Sequence, residues 1–154
     1  VGNNQVSYGA PPPAGQTWKQ IFLSEVADQL DLNRVTFCGT LPYDRFLSML
    51  QVSRVHVYLT YPFVLSWSML EAMACGCLIV GSDTAPVREV ITHEKTGLLV
   101  PFFSPRQLAN TVIAAAERPE RYCDLRKAAR RTVVEQFDLK RICLPRWLGF
   151  IPKC

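Results

Sequence analysis

Long apolar runs are missing from this 154-residue sequence, although 49% of its residues are hydrophobic. No run reaches the roughly 18 residues that a membrane-spanning helix needs. The N-terminal stretch VGNNQVSYGAPPPAGQ also lacks a basic region followed by a hydrophobic one, so we predict no signal peptide. We therefore expect a cytoplasmic protein of single-domain size with a substantial core.

The spacing typical of metal sites is missing as well. The six cysteines are scattered, mostly within apolar runs, and form neither the paired spacing of a zinc site nor a dense disulfide framework. Cys75-Gly-Cys77 is one residue short of a redox motif. We expect buried free thiols, and no cluster of Asp, Glu or His indicates a metal.

Acidic residues are scarce in the C-terminal region. The net charge is +4, and from Arg118 onward there are ten of the 17 Lys and Arg but only four of the 13 Asp and Glu. These basic helices, from about residue 119, form either a solvated surface or a site for acidic lipid or another polyanion, which would involve Arg126, Lys127, Arg130 and Arg131. No aromatic residues interleave with RKAARR, which argues against specific nucleic-acid recognition.

Strand and helix patterns alternate along the chain. Short apolar and β-branched runs predict strands at 35–39, 55–60, 77–82 and 97–102, and amphipathic periodicity predicts helices at 18–30, 43–50, 66–74, 105–118 and 119–136. Continuously apolar strands are typical of a parallel sheet that is covered on both faces. We predict a doubly wound, Rossmann-like α/β fold that forms one domain over residues 1–154.

A single carboxylate, Glu71, stands in the otherwise apolar stretch YPFVLSWSMLEAMACG. The helix that contains it begins at about 66–68, after the predicted strand at 55–60, where doubly wound folds bind ligands. A helix N-terminus suits a phosphate, and a carboxylate one turn further can accept hydrogen bonds from an adjacent ribose. Alternatively, Ser68 and Glu71 have the spacing of a capping box, in which Ser68 caps the helix and Glu71 bonds its backbone N–H.

The stretch SMLEAMACGCLIVGSDTAPVREVITHEKTGLLV resembles the signature of the family 4 glycosyltransferases. In that family a helix with Glu-Ala-Met-Ala-x-Gly leads into a strand, a short Pro-x-x-Glu-Val-Ile helix and a turn that ends in Gly. VTFCGTLPYDRFLSMLQVSRVHVYLT is similar to the preceding part of the family's C-terminal domain. The resemblance implies a GT-B fold, of which this chain is the C-terminal Rossmann-like domain, and it implies that this domain binds a nucleotide sugar without a metal or cofactor.

The resemblance also implies roles for individual residues. Glu71 matches the second acid of the family's Glu-x7-Glu motif, which holds the ribose hydroxyls. The residues that match the loop at the diphosphate and the sugar are Phe63, Val64, Leu65, Ser66, Trp67 and Ser68. Those that match the loop lining the nucleobase are Gly39, Thr40 and Leu41. No catalytic residue is assigned.

The sequence departs from the family pattern in two ways. Phe63 stands where the family has its first Glu, and a phenyl ring cannot accept a hydrogen bond from a sugar hydroxyl. Val1-Gly2 resembles the end of the second strand, so we expect the first strand, the Arg and Lys that neutralise the diphosphate, and the N-terminal domain to be absent. The chain alone is then expected to be inactive, with an exposed edge at 55–60.

These observations predict the donor-binding part of a retaining glycosyltransferase of the hexosyltransferase type, which moves a sugar from a nucleoside diphosphate to an unknown acceptor. Two alternatives stay open. One is a non-catalytic nucleotide-binding module, which Phe63 favours. The other is a membrane-associated protein that contacts acidic lipid or a polyanion through its basic tail.

Overall fold

The chain forms two units, Val1–Phe46 and Leu47–Cys154. The computed structural model describes residues 1–6, 9–61 and 64–151. The first unit contains helix α1 (Trp18–Val26) and two 3-10 turns (Ala27–Gln29 and Leu32–Arg34), and helix α2 (Tyr43–Val52) begins in it. The second unit contains the sheet.

The predicted strand at 35–39 is wrong. Val35 has extended backbone angles and Gly2 N–H donates to the Gly39 carbonyl (2.8 Å), but no strand forms there within the described part of the chain. A strand needs a neighbour that repeats such pairing along its length, and here Thr36, Phe37 and Cys38 remain exposed. Apolar and β-branched residues fit a strand but do not supply its partner.

The second unit is organised around a parallel sheet of three strands, in the order β1 (Val55–Tyr58), β2 (Leu78–Ser82) and β3 (Leu98–Val100). Every residue of the central strand β2 is buried, as its continuous apolar run predicts. Among the described residues β1 lies at an edge of the sheet, and Val57 and the nearby Leu59 are exposed. This agrees with the exposed edge expected at 55–60.

Helices cover both faces of this sheet. On one face Leu78 and Val80 pack with β3 against α5 (Pro105–Glu117). Gly81 lies on the alternate face, where an added Cβ would be 3.1 Å from Val87 Cγ1 in α4 (Ala85–Arg88). Helix α3 (Trp67–Ala74) contacts β1 and β2 and buries Met69, Ala72 and Met73. The unit is therefore a Rossmann-like α/β fold, as predicted.

Several helical elements follow the sheet: α5, a 3-10 turn (Pro119–Tyr122), α6 (Cys123–Phe137), a π-helical turn (Leu139–Cys143) and α7 (Leu144–Gly149). The periodicity predicts one helix over 119–136 and misses the last two elements. Pro145 obscures α7 in the sequence, yet it lies in the first turn of that helix, where proline is tolerated. Within the described ranges, no helix has both the length and the apolar character to cross a bilayer.

Two arginines of α6 hold the C-terminal end of α3. Arg126 Nε donates to the Gly76 carbonyl (2.6 Å), and Arg130 Nη1 donates to the Ala74 carbonyl. The last carbonyls of a helix lack intrahelical partners and carry the negative end of the helix dipole, so cations stabilise them. Arg126 and Arg130 therefore have partners inside the fold, which makes them poorer candidates for contact with a polyanion.

We expect Gly97→Ala to destabilise the protein by about 1–3 kcal/mol, because the added methyl group overpacks a buried site. Its Cβ would lie 3.0 Å from Ile91 Cγ2 and 3.2 Å from the backbone oxygen of Ile79. Gly149→Ala is the matched control, since no atom lies within 4 Å of the added Cβ there. Urea unfolding measures both, and equal stability of the two variants would contradict the packing described for Gly97.

Candidate functional site

The start of α3 lies beyond the carboxyl end of β1, and a tyrosine fixes it there. Tyr58 is the last residue of β1 and is buried. Its hydroxyl oxygen accepts a hydrogen bond from the backbone N–H of Ser66, the N-cap of α3 (2.8 Å). The carboxyl ends of parallel strands are where such sheets bind ligands, so Tyr58 positions the helix at the ligand-binding edge.

Ser66, and not Ser68, caps α3. The Ser66 hydroxyl accepts the Ser68 backbone N–H (3.3 Å), and the two hydroxyl oxygens are 3.1 Å apart. Ser68 is already the second residue of the helix. The acid of a capping box stands three residues after the N-cap, which here is Met69, so Glu71 lies two positions too far along the helix. The capping-box interpretation of Ser68 and Glu71 is therefore wrong.

The carboxylate of Glu71 is open to a ligand. The residue is half-buried, and within residues 1–6, 9–61 and 64–151 no hydrogen-bond donor or cation contacts its carboxylate. No described side-chain oxygen is buried without a partner, so the Glu71 oxygens reach solvent. The fold thus holds a hydrogen-bond acceptor one turn into α3 and does not use it, which makes it available to ligand hydroxyls.

The backbone donors at the start of α3 differ in availability. Ser66 N–H is bonded to Tyr58 and Ser68 N–H to Ser66, whereas Trp67 N–H has no acceptor among the described residues. The Trp67 indole and the Val64 side chain are exposed, and Leu65 is half-buried. Phe63 lies outside the described residues. The structure therefore brings Ser66, Trp67, Ser68 and Glu71 together on one helix.

A hydroxyl cluster, formed by Thr60, Ser82 and Thr84, joins the ends of β1 and β2. Thr60 N–H donates to Ser82 Oγ (3.0 Å), which in turn donates to the Thr60 carbonyl (2.8 Å), and Thr84 Oγ1 donates to the same carbonyl (3.2 Å). Ser82 and Thr84 are buried. The sequence reasoning misses this cluster, although polar residues directly after the apolar run at 77–81 are a usable signal.

An ion pair follows β2. Arg88 donates two hydrogen bonds to Asp83, from Nε (2.5 Å) and from Nη2 (2.7 Å). These hydrogen bonds lower the pKa of Asp83 and raise the pKa of Arg88. Unlike Glu71, Asp83 already has its partner, so it stays ionised and orients Arg88 at the ligand-binding edge.

Three aromatic rings, those of Tyr61, Phe102 and Phe103, form a cluster near the carboxyl end of β2. Tyr61 follows β1, while Phe102 and Phe103 follow β3, and the Tyr61 ring centroid is 5.3 Å from each of the other two. Because β2 lies between β1 and β3, the two loops must converge above its carboxyl end for these rings to touch. Tyr61 and Phe103 remain exposed. The cluster gives this edge an apolar wall beside its hydroxyl groups.

The residues predicted to line the nucleobase belong to the first unit. Gly39 has φ of 63°, a left-handed conformation that favours glycine. Gly39 and Thr40, but not Leu41, line a cavity of about 620 Å³ in that unit, together with Phe22 and Phe37. Lys19 Nζ lies 3.9 Å from the centre of the Phe37 ring. The cavity has aromatic walls, and the nucleobase role of these residues stays a prediction.

Among the described residues, the cysteines and histidines do not form a reactive cluster. Burial raises the pKa of Cys75 and raises that of Cys77 to about 11, so neither is a ready nucleophile. Cys38 and Cys123 are exposed, which corrects the expectation of buried thiols. His93 Nδ1 accepts the Leu99 N–H (2.9 Å) and so fastens β3. No group of metal ligands occurs among the residues that the structure describes.

Comparison with known families identifies the class of protein to which the chain belongs. The family model described as "Glycosyl transferases group 1" matches residues 14–132, which is most of the chain. The chain belongs to this glycosyltransferase family. The resemblance of the stretch around Glu71 to glycosyltransferases is therefore confirmed.

Curated glycosyltransferases support the assignment over a limited length. The chain is 30% identical over 110 residues to N-acetyl-alpha-D-glucosaminyl L-malate synthase of Bacillus anthracis, a match that covers 71% of this chain and 28% of the relative. It is 30% identical over 108 residues to alpha-maltose-1-phosphate synthase of Mycolicibacterium smegmatis, covering 66% and 28%. The chain thus spans less than a third of the length of these relatives.

Solved glycosyltransferase structures share the fold. Sucrose-phosphate synthase from Thermosynechococcus elongatus superimposes with a TM-score of 0.73 at 26% identity, over 92% of this chain and 36% of that chain. HepE of Anabaena in complex with UDP gives 0.76 at 20% identity, over 87% and 37%. The C-terminal domain of a group 1 glycosyltransferase from Francisella tularensis gives 0.72 at 18% identity, over 84% and 67%. The fold is that of a part of a GT-B glycosyltransferase.

Substitution of Ser66 and of Ser68 tests which of the two serines caps α3. Ser66→Ala should lower the free energy of unfolding by about 0.5–2 kcal/mol, because the cap is lost. Ser68→Ala is the matched control and should cost less, and Glu71→Gln should change stability by no more than about 0.5 kcal/mol. Thermal and urea unfolding measure all three. A large cost for Ser68→Ala and Glu71→Gln, with little for Ser66→Ala, would restore the capping box.

Proposed function

We propose that this chain is the donor-binding part of a retaining glycosyltransferase that transfers a hexose from a nucleoside diphosphate sugar to an acceptor. The observation that carries the proposal is the open carboxylate of Glu71, one turn into a helix that starts at the ligand-binding edge of a parallel sheet. Membership of the glycosyltransferase family supports the class of reaction.

The proposed donor pose follows from the start of α3. The diphosphate lies at the N-terminus of the helix, where the Trp67 N–H and the positive end of the helix dipole attract it. The ribose then lies beside Glu71, whose carboxylate accepts hydrogen bonds from its hydroxyls. Ser68 N–H becomes a further donor if its 3.3 Å hydrogen bond to Ser66 Oγ is replaced by one to a phosphate oxygen, which is the stronger acceptor.

The proposed chemistry needs electrostatic stabilisation more than proton transfer. The bond between the sugar C1 and the phosphate oxygen breaks through an oxocarbenium-like state, and the departing diphosphate takes the electron pair. Preorganised donors lower the barrier by stabilising that charge, and the start of α3 supplies part of them. We propose no cofactor besides the nucleotide sugar, and we assign no residue of this chain as catalytic.

The remaining parts of the site are proposed to lie outside this chain. The chain spans less than a third of its curated relatives, so the acceptor site and further cations for the diphosphate are expected from the rest of the protein. One fold relative, HepE, was crystallised in complex with UDP, which makes UDP a sensible first probe. A non-catalytic nucleotide-binding module is the second candidate, favoured by Phe63 in place of an acid.

We expect Glu71→Ala to weaken binding of the matching nucleoside diphosphate by about 1–3 kcal/mol, roughly five- to 150-fold, because charge-assisted hydrogen bonds to the ribose are lost. Calorimetry of the full-length protein with UDP, GDP and ADP measures the effect. Glu117→Ala removes an exposed carboxylate at the far end of α5 and is the matched control. Unchanged affinity of Glu71→Ala, with lower thermal stability, would show that Glu71 serves the fold alone.

Phe63→Glu tests the departure from the family pattern. If Phe63 lines the sugar pocket, the substitution should change donor preference or turnover and leave binding of the bare diphosphate almost intact. Competition among several nucleotide sugars, compared with the matching nucleoside diphosphate, measures this. Equal losses for sugar-bearing and bare nucleotides would assign Phe63 to packing. Nucleotide binding without turnover in both variants would favour the non-catalytic module.

A further inference from the structure

The buried side chains that carry a hydroxyl group, in the described part of the chain, lie at the carboxyl ends of β1 and β2. They are Tyr58, Ser82 and Thr84. A hydroxyl has one hydrogen to donate, and its oxygen can accept. Ser82 Oγ donates to the Thr60 carbonyl (2.8 Å), and Thr84 Oγ1 donates to the same carbonyl (3.2 Å). The hydrogens of Ser82 and Thr84 are therefore used within the fold.

The hydroxyl of Tyr58 differs from these two, because it acts as an acceptor. Its oxygen accepts the backbone N–H of Ser66 (2.8 Å), and no described residue accepts its hydrogen. Tyr58 is only 8% exposed, so packing holds the ring in place. A donor on a buried side chain is destabilising when it has no acceptor. The Tyr58 hydrogen is therefore expected to find its acceptor outside the described residues.

This hydrogen lies at the start of α3, because the Tyr58 oxygen is hydrogen-bonded to the N-cap residue of that helix. The first N–H groups of a helix lack intrahelical acceptors and carry the positive end of its dipole. The next N–H along the chain, that of Trp67, also has no acceptor among the described residues. Two donors of different origin, one from a buried side chain of β1 and one from the backbone of α3, are therefore available at the same helix terminus.

The hydrogen bond from Ser66 makes the Tyr58 hydroxyl a better donor. Because the oxygen accepts the Ser66 N–H, the hydroxyl hydrogen points away from that amide. Hydrogen bonds that run in one direction polarise one another, so a hydroxyl that accepts one donates the next more strongly. The Ser66 N–H belongs to the positive end of α3. The Tyr58 hydrogen therefore suits an anionic acceptor.

A phosphate fits these two donors better than a sugar hydroxyl does. Tyr58 O–H and Trp67 N–H both donate, so their partner has to accept from both. An ionised phosphate accepts in several directions and has negative charge, whereas a sugar hydroxyl is neutral and also needs an acceptor for its own hydrogen. That acceptor is Glu71, one turn further along α3. The two ends of this turn thus suit different parts of a nucleoside diphosphate.

We propose that Tyr58 is a diphosphate-binding residue, whose hydroxyl donates to a phosphate oxygen of the sugar donor while its oxygen keeps the Ser66 N–H. The inference rests on the proposed function, because it takes the start of α3 as the diphosphate site. It adds a donor that comes from the strand and not from the helix or its loop. In the sequence, Tyr58 belongs to the apolar run VHVYLT and has the appearance of a core residue.

Tyr58→Phe in the full-length protein tests the proposal, because it removes the hydroxyl and keeps the ring that packs. The variant should bind the matching nucleoside diphosphate, found among UDP, GDP and ADP, at least about fivefold more weakly, since a hydrogen bond to a charged acceptor is lost. Its affinity for the matching nucleoside, which has no phosphate, should stay within about twofold. Calorimetry measures the diphosphate, and competition against it measures the nucleoside.

Tyr122→Phe is the matched control. It removes the same group from the 3-10 turn after α5, where the half-buried Tyr122 packs against the core. Its affinity for the diphosphate should stay within about twofold of that of the unmodified protein. Phosphorus NMR gives a second readout: a phosphate resonance of the bound diphosphate should shift in Tyr58→Phe and not in Tyr122→Phe. Thermal unfolding checks that both variants fold.

The double variant of Tyr58→Phe with Glu71→Ala separates direct contact from placement of the helix. If Tyr58 contacts the phosphate and Glu71 the ribose, the two fold-losses in diphosphate affinity should multiply, because the contacts are separate. A Tyr58 that acts only by holding α3 would instead lose most of its effect once Glu71 is gone. Calorimetry of the two single variants and the double variant measures this.

The results distinguish failure of this inference from failure of the proposed function. If no nucleoside diphosphate binds the unmodified protein, both are wrong. If Glu71→Ala weakens diphosphate binding and Tyr58→Phe does not, the proposed function stands and the inference is wrong. It is also wrong if Tyr58→Phe weakens nucleoside and diphosphate equally, which would assign Tyr58 to placing α3. Lower thermal stability of Tyr58→Phe with unchanged diphosphate affinity would show that another part of the protein accepts the hydrogen.

Discussion

The hydroxyl group of Ser82 holds both backbone groups of Thr60, and the arrangement of the site depends on this pair of hydrogen bonds. The regular pairing of β1 with β2 ends at Tyr58 and Gly81, so beyond that point a side chain replaces the strand ladder. Burial strengthens these bonds, because no water competes for them. The chain therefore leaves β1 in a fixed direction, and the Tyr58 hydroxyl then fixes the N-cap Ser66 above the strand.

Once α3 is fixed in this way, none of the residues that the structure describes pairs with the Glu71 carboxylate. Ser66 satisfies the cap, and Arg126 and Arg130 satisfy the carbonyls at the other end of the helix. Asp83, at the same edge, shows the contrast: Arg88 binds it and lowers its pKa, so its charge is balanced within the protein. Glu71, in contrast, is half-buried with its carboxylate open to solvent and has no partner among the described residues. We propose that it binds the donor, within a family that transfers sugars.

The parts of the fold that sequence predicts well are those set by local pattern. The apolar run at 77–82 corresponds to the buried central strand, and the helices at 66–74 and 105–118 lie almost where periodicity places them. The strand predicted at 35–39 fails because pairing requires a neighbour that no local pattern reports. No helix is predicted over 139–149, where the structure has a π-helical turn and α7; Pro145 lies in the first turn of α7, where proline is tolerated.

The sequence by itself determined the family, because the motif around Glu71 is specific, and it marked Glu71 as a candidate ligand-binding residue, because one carboxylate in an apolar helix is visible without coordinates. Only the tertiary structure decided which serine caps α3, since Ser66 and Ser68 have similar local chemistry and differ in the contact with Tyr58, eight residues away. It also decided which cations are free. Arg126 and Lys140 look alike in the sequence. In the structure Arg126 donates to the carbonyl of Gly76, 50 residues away along the chain, whereas Lys140 is exposed to solvent.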